Sequence, residues 1–204
     1  MVLAGCLIEE STQQALRDLG VKDSKELTQK RRVFLVDKIK EIAETFEVVL
    51  SPPLEIDDKL TNGTNLNTLE AIKTAEIINK INKGFGKIKV VVDCPSVSIV
   101  KWRDELMTKI DNLSNLEIVC EHKADRNHVA VSAASILAKS VRESEMDKLR
   151  EKYGAEIGSG YCSDPNTKKF LEKNHQKFKD DGIFRKSWET WRNIVKNSLQ
   201  KTLS

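Results

Sequence analysis

The fold class of this chain follows from ten consecutive residues, Lys87-Ile88-Lys89-Val90-Val91-Val92-Asp93-Cys94-Pro95-Ser96. Three valines in a row indicate a strand with both faces buried, as in a parallel sheet. Outward from this strand, a second strand is predicted at 116–120. Helices are predicted after Asn67, at 98–110 and at 127–153. This alternation of strands and helices predicts an α/β fold, a sheet flanked by helices.

The outer parts of the chain add further elements. We expect a strand at 2–8, a short helix with Ser11 as its N-cap and Gly20 as its stop, a helix at 28–44 and a strand at 46–50. Asn67 is expected to cap the helix that follows it. The pair Asp164-Pro165 predicts another helix start, and a final helix is expected from 187.

Size and composition set the class of protein. The chain has 204 residues, of which 39% are hydrophobic and 32% charged, and its longest apolar runs are much shorter than the ~20 residues of a membrane helix. Its four cysteines form no CxxC pair, which fits a reducing cytoplasm better than a disulfide framework or a zinc site. We therefore expect a cytoplasmic globular protein.

Positive charge is concentrated near the C-terminus. The formal net charge of the chain is only +3, but residues 168–201 hold ten Lys or Arg and four Asp or Glu, a balance of 10 − 4 = +6. This segment is either a solvated helical face or a surface for a polyanion, and the composition alone favours neither.

Two aspartates fall where catalytic residues lie in α/β folds, at the carboxyl ends of neighbouring strands. Asp93 ends one strand, and Asp125 follows the next through Glu121-His122-Lys123. Each has an ordinary alternative role, Asp93 as a helix cap or turn former and Asp125 as a residue of a helix N-terminus. Together, two converging carboxylates suit Mg²⁺ or Mn²⁺, which prefer oxygen ligands.

Several blocks carry a resemblance to a known family. They are Gly20-Val21-Lys22-Asp23-Ser24-Lys25-Glu26-Leu27-Thr28, Asn65-Leu66-Asn67, Glu121-His122-Lys123-Ala124-Asp125, Val131-Ser132-Ala133-Ala134-Ser135-Ile136-Leu137-Ala138-Lys139, Gly158-Ser159-Gly160-Tyr161-Cys162-Ser163-Asp164-Pro165 and Trp188-Glu189-Thr190. In this order and over nearly the whole chain, they closely resemble ribonuclease HII, archaeal branch.

The resemblance implies a fold and a reaction. It implies a ribonuclease H-like mixed sheet, with a catalytic domain at 1–160 and a helical substrate-binding extension at 161–204. The implied enzyme is an endonuclease that hydrolyses the RNA strand of RNA/DNA hybrids and cuts on the 5′ side of single ribonucleotides in duplex DNA. It uses two divalent ions, Mn²⁺ or Mg²⁺, and Asp93 and Asp125 match the third and fourth carboxylates that hold them. A monomer without a membrane partner is expected.

Substrate contacts are implied at six further positions. Tyr161 matches the family tyrosine that stacks on a sugar next to the ribonucleotide and so senses the 2′-hydroxyl, which distinguishes RNA from DNA. The other positions are Ser24, Lys25, Asn67, Ser135 and Lys139. Each has an ordinary structural alternative: a core-covering aromatic, a turn, or a small residue needed for helix packing. Cys162 departs from the family, which usually has proline there. For His122 and His128 we expect structural roles or contacts that support the metal ligands. For Trp188 and Trp191 we expect helix packing.

One family block is absent. The sequence lacks Asp-Glu-Ala-Gly-Arg-Gly, which in the family lies on a central first strand and supplies the other two metal ligands. We expect this strand to lie upstream of Met1, with Met1 an internal methionine, and we expect the 204-residue chain to turn over little substrate. One alternative is a non-catalytic hybrid-binding protein that lost half its metal site. Another is an unrelated phosphotransfer protein using Asp93, against which the absence of a GxxxxGK[ST] loop counts.

Overall fold

The computed structural model describes residues 1–22, 27–84 and 86–203, and it confirms an α/β fold with more helix than strand. The strands are β1 (Val2–Leu7), β2 (Thr45–Leu50), β3 (Ile88–Asp93) and β4 (Leu116–Glu121). The helices are α1 (Gln13–Asp18), α2 (Gln29–Ile42), α3 (Pro53–Thr61), α4 (Leu66–Ile81), α5 (Ile99–Met107), α6 (Ala124–Asn127), α7 (Val129–Tyr153), α8 (Pro165–Asn174) and α9 (Glu189–Leu203). No helix in these ranges is long and apolar enough to cross a membrane.

The strands form two pairs. β1 and β2 are antiparallel, with Gly5 opposite Glu47, whereas β3 and β4 are parallel, with Val91 opposite Val119. In the described ranges, no ladder joins β1 to β3, so each has one edge without a neighbouring strand. The prediction that Val90-Val91-Val92 is buried on both faces is therefore wrong. These valines are only half-buried, because the strand faces a cleft along its free edge.

The chain divides into two compact units, and the strands belong to the unit formed by Val2–Leu50 and Asn67–Val141. One core cluster of this unit joins α1, α2 and the first part of α7 through side chains such as Leu16, Leu35 and Ile136, each fully buried. A second cluster packs Trp102 and Leu106 of α5 against α4 and the β3–β4 pair. In this unit, helices thus pack against both strand pairs.

The other unit comprises Met1, Ser51–Leu66 and Arg142–Ser204. Its core is largely aromatic: Phe170 is buried, the rings of Tyr153 and Phe178 meet edge to face at 5.1 Å, and those of Phe184 and Trp191 lie 5.2 Å apart. The packing role predicted for Trp191 is confirmed. Trp188, for which packing was also predicted, is 37% exposed and lies one residue before α9. The predicted division into a catalytic domain at 1–160 and a helical substrate-binding extension at 161–204 stays a prediction.

Several predicted helix ends are wrong. Ser11 is not an N-cap, because a 3₁₀ turn (Glu10–Thr12) precedes α1 and the Ser11 hydroxyl donates to the Glu9 carboxylate. Asn67 lies inside α4, where its carbonyl accepts a hydrogen bond from the indole N–H of Trp102. The predicted helix at 127–153 is interrupted at His128, whose extended backbone separates α6 from α7.

Candidate functional site

The carboxylate of Asp93 is placed by the parallel pairing of β3 with β4. The two strands end together, with Asp93 opposite Glu121, and the next residue continues the contact because the Cys94 N–H donates to the Glu121 carbonyl over 2.9 Å. Asp93 Oδ1 then accepts the backbone N–H of Ala124 over 3.3 Å. The Asp93 carboxylate is therefore held against the first turn of the helix that carries Asp125.

Asp125 is placed by a tight turn between β4 and α6. Lys123 has a φ of 59°, a left-handed conformation that is uncommon for a residue with a side chain. This conformation lets the chain enter α6 directly after β4, with Ala124 fully buried. The Asp125 carbonyl accepts a hydrogen bond from the Ser132 hydroxyl, which ties the turn to α7.

Glu121 and His128 lie close to Asp125 in the chain but were not among the predicted site residues. Nε2 of His128 lies 2.9 Å from Oε1 of Glu121, and that same oxygen is within 3.4 Å of the Asn127 amide. His122 has a structural contact, with its Nδ1 3.2 Å from the Cys94 carbonyl. The strand-end pattern that singled out Asp93 also applies to Glu121, the last residue of β4, and could have identified it.

Asp93 and Asp125 line the same cleft, which has a volume of about 940 Å³. The free edges of β1 and β3 form its sides, and α4 and α7 contribute further lining residues, among them Ile77, Ala134 and Ser135. In the described part of the chain, no three His, Cys, Asp or Glu side chains gather closely enough to enclose a metal ion. The pair of oxygen donors fits the ligand preference of Mg²⁺ or Mn²⁺, but it supplies only part of a coordination shell.

The predicted substrate contacts are distributed over several elements. Ser135 lies on α7 and lines the cleft, and Lys139, one turn further along α7, is half-buried. Asn67 is exposed near the start of α4, in the same unit as the aspartates. Ser24 and Lys25 lie outside the described residues. Ser135 thus lines the same cleft as Asp93 and Asp125, whereas Tyr161 belongs to the other compact unit.

Tyr161 sits in a loop with a dense hydrogen-bond network. Asp164 Oδ2 accepts the Ser159 N–H over 2.6 Å, Asp164 Oδ1 accepts the Asn166 N–H over 2.9 Å, and the Thr167 hydroxyl accepts the Gly160 N–H over 2.9 Å. The bonds from Ser159, followed by that from Asn166, hold the pKa of the Asp164 carboxyl well below its usual range. Asp164 also caps α8, with Pro165 at the first helical position, as predicted.

Comparison with known proteins gives a consistent result. The family model for ribonuclease HII matches residues 1–191. A ribonuclease HII of Methanococcus maripaludis (strain C6) is 41% identical over 197 residues, which cover 96% of this chain and 81% of the relative. The crystal structure of ribonuclease H2 from Pyrococcus horikoshii OT3 matches with a TM-score of 0.82 and 35% identity, covering 97% of this chain and 98% of that one. The ribonuclease HII in a PCNA complex from Archaeoglobus fulgidus matches with a TM-score of 0.79 and 35% identity, covering 95% and 88%. On this evidence, the chain belongs to the ribonuclease HII family of ribonuclease H hydrolases.

Proposed function

We propose that this protein is an endonuclease that cuts on the 5′ side of ribonucleotides, both in the RNA strand of RNA/DNA hybrids and as single units in duplex DNA. The observation that carries the proposal is the approach of two carboxylates, Asp93 and Asp125, to one cleft at the strand ends. We further propose that it acts as a cytoplasmic monomer. Membership of the family supports hydrolysis of this substrate class.

The roles of the two aspartates follow from their chemistry. As acceptor-only oxygen donors, they would hold divalent Mn²⁺ or Mg²⁺ at the strand ends. A pair of such ions, when bound, activates the attacking water and stabilises the leaving oxygen of an in-line displacement. The Ala124 N–H bond to Asp93 orients that carboxylate before any ligand arrives. Further carboxylates are needed for a complete site, because two side chains leave most of an octahedral shell to water.

The proposed substrate recognition divides into two parts. Tyr161 offers an aromatic ring, 49% exposed, that can stack on a sugar beside the ribonucleotide. Ser135 and Lys139 on α7 and Asn67 on α4 supply hydroxyl, ammonium and amide donors for phosphate oxygens. Ser24 and Lys25 are proposed as further phosphate contacts from the family resemblance alone.

The test uses a labelled duplex that contains one ribonucleotide. It compares the 204-residue chain with the same chain fused at its N-terminus to a strand carrying Asp-Glu-Ala-Gly-Arg-Gly. We expect the fusion to cut 5′ of the ribonucleotide with Mn²⁺, leaving 3′-hydroxyl and 5′-phosphate ends, and the shorter chain to cut weakly. Asp93→Asn or Asp125→Asn in the fusion should lower the rate by about a hundredfold or more, since even outer partners of metal ligands are worth 10–100-fold.

Controls separate the aspartates from their surroundings. Asp104→Asn removes an exposed carboxylate of α5 that pairs with Arg103, and it should leave cutting unchanged. Undiminished cutting by the Asp93 or Asp125 variant would refute the assignment. Tight hybrid binding by the fusion without any cleavage would instead favour the non-catalytic hybrid-binding protein.

A further inference from the structure

The ring of Tyr161 has a cation against one of its faces. The guanidinium carbon of Arg142 lies 3.8 Å from the ring centroid, well within the ~6 Å range of a cation–π contact. Tyr161 is nevertheless 49% exposed. The contact therefore occupies one side of the ring and leaves a large part of the side chain open to a ligand.

Arg142 is itself held in place at two points. It projects from α7, and its Nη2 donates to the Ser159 carbonyl over 2.7 Å, two residues before Tyr161. One turn further along the same helix, Met146 is buried under the loop. Because the guanidinium is planar and has several fixed donors, the bond to Ser159 and the stack on Tyr161 restrain each other.

The loop between these contacts has little room to move. Gly160 has a φ of +76°, and a Cβ built there would lie 2.8 Å from the Met146 sulfur and 3.4 Å from Arg142 Nη2. The loop is therefore pressed directly onto the α7 side chains. Together with the Asp164 and Thr167 hydrogen bonds, this packing holds the backbone around Tyr161 in place while the ring stays partly exposed.

We propose that Arg142 is a positioning residue that sets the Tyr161 ring for recognition of a ribonucleotide. This inference rests on the proposed function, because it assigns to Arg142 the preorganisation of the ring that stacks on the sugar. A ring already immobilised by a guanidinium loses less conformational freedom when a ligand arrives. The selectivity for RNA over DNA then depends on Arg142 without any direct contact between Arg142 and the substrate.

The first measurement detects the contact itself and needs neither metal nor turnover. The chain has two tyrosines, so ring-labelled tyrosine gives two resolvable sets of NMR signals, and Tyr153→Phe assigns them. We expect Arg142→Ala to shift the signals of Tyr161 and leave those of Tyr153 in place. Arg142→Lys, which keeps the charge but loses the planar stack, should give an intermediate shift. Unmoved Tyr161 signals in Arg142→Ala would overturn the inference.

The second measurement is the ratio of two dissociation constants for the 204-residue chain, one for a duplex with a single ribonucleotide and one for the all-DNA duplex of the same sequence. We expect Arg142→Ala to lower this preference by roughly two- to fivefold, the range of a cation–π contact on a partly exposed ring. Arg142→Lys should restore part of it. Arg150→Ala is the matched control, because Arg150 lies on the same helix and pairs with Asp147 at the surface.

A double-mutant cycle separates positioning from a direct phosphate contact. If Arg142 acts through the ring, Arg142→Ala should have no further effect on the preference in a Tyr161→Ala background. Equal weakening of both duplexes by Arg142→Ala, with a salt slope reduced by about one, would show a direct phosphate contact and overturn the inference. If the Arg142→Ala variant keeps the full preference for the ribonucleotide duplex, the role of Arg142 is overturned, but the proposed substrate recognition is not. No preference in the unmodified chain would overturn the proposed substrate recognition, and this inference with it.

Discussion

Burial separates the four thiols of the chain into reactive and unreactive groups. Burial raises the pKa of Cys6 to about 12, and the Cys6 sulfur lies 3.2 Å from the Ala130 carbonyl. Burial, with a contribution from nearby Cys94, raises the pKa of Cys120 to about 11. Cys94 is buried, whereas Cys162 is exposed beside Tyr161. Only thiolates are nucleophilic, so these environments determine which cysteines react.

We predict one rapidly reacting thiol in the native protein. At pH 8 a group of pKa about 12 is ionised to about one part in ten thousand, so Cys6 should be inert, and Cys120 nearly so. A thiol-specific chromogenic reagent should therefore show one fast equivalent, which Cys162→Ser removes, and four equivalents after unfolding. Raising the pH toward 11 should accelerate the reaction of the buried thiols with the reagent. A second fast equivalent at pH 8 would contradict the prediction.

Single-residue signals were informative where local geometry alone determines the contact. The pair Asp164-Pro165 was correctly predicted to open a helix, since an aspartate cap and a proline at the first position act within three residues. Ser11 was wrongly predicted to cap α1, because it lies within a 3₁₀ turn (Glu10–Thr12) that precedes the helix. The strand-end positions of Asp93 and Asp125 were predictable from the α/β pattern. Their role as metal ligands stays a prediction.

At the scale of elements, β1 packs unusually close to α4. A Cβ built on Gly5 would lie 2.6 Å from Cγ2 of Ile77 and 3.3 Å from Cδ1 of Ile81. The absence of a side chain at Gly5 is thus what allows the helix to approach the strand. Any larger residue at this position must displace the helix or its side chains.

We therefore predict that Gly5→Ala lowers the free energy of unfolding by about 1–3 kcal/mol, the usual effect of overpacking a core. Ile77→Ala, at a site only 5% exposed, should cost about 2–5 kcal/mol by leaving a cavity. Because the new methyl would occupy part of that cavity, the double variant should lose less than the sum of the two. Urea denaturation of the four proteins measures this coupling. Strict additivity would show that the close approach carries no strain.

Element boundaries were less predictable than element types. The predicted helix at 127–153 begins two residues before α7 and omits α6, because the extended backbone at His128 has no local signal. At the break, Nε2 of His128 lies 2.9 Å from Oε1 of Glu121, a contact with β4 that no local pattern indicates. Helix α3 was not predicted, although it begins at Pro53 and proline suits the first position of a helix.

Across the whole molecule, charge is distributed unevenly. Residues 168–201 carry +6 of formal charge in a chain whose total is +3. If this segment follows a phosphate backbone, duplex binding must weaken steeply with salt, because each neutralised phosphate releases counterions. A merely solvated face would show no such dependence on these residues.

We predict that replacing three exposed lysines of α8 by glutamine flattens the slope of log K against log salt by up to about 2.7, close to 0.9 for each lost phosphate contact. The lysines are Lys168, Lys169 and Lys173. The matched control replaces three exposed lysines elsewhere in the chain and should leave the slope unchanged. These are Lys30, Lys59 and Lys101. Equal slopes for both triple variants would leave α8 without a role in backbone contact.

Which chain segments make up each compact unit could not be predicted from local patterns. Met1 and Ser51–Leu66 belong to the same unit as Arg142–Ser204, although more than seventy residues of the other unit lie between Leu66 and Arg142. The Met1 amine and carbonyl pair with Ser51, and Asp57 of α3 accepts the N–H groups of Lys186 and Ser187. Such long-range pairings depend on the finished fold and leave no periodic signal in the sequence.

In the part of the chain that the structure describes, one margin of β1 and one of β3 lack a neighbouring strand, which has a practical consequence for handling the protein. Each margin exposes a row of backbone donors and acceptors, and a row of this kind is a template for any extended chain that meets it. Crowding in a concentrated stock would bring further copies of the protein to these margins and promote aggregation. Dilute samples, freshly prepared, are therefore the conditions under which the properties of the isolated molecule can be measured.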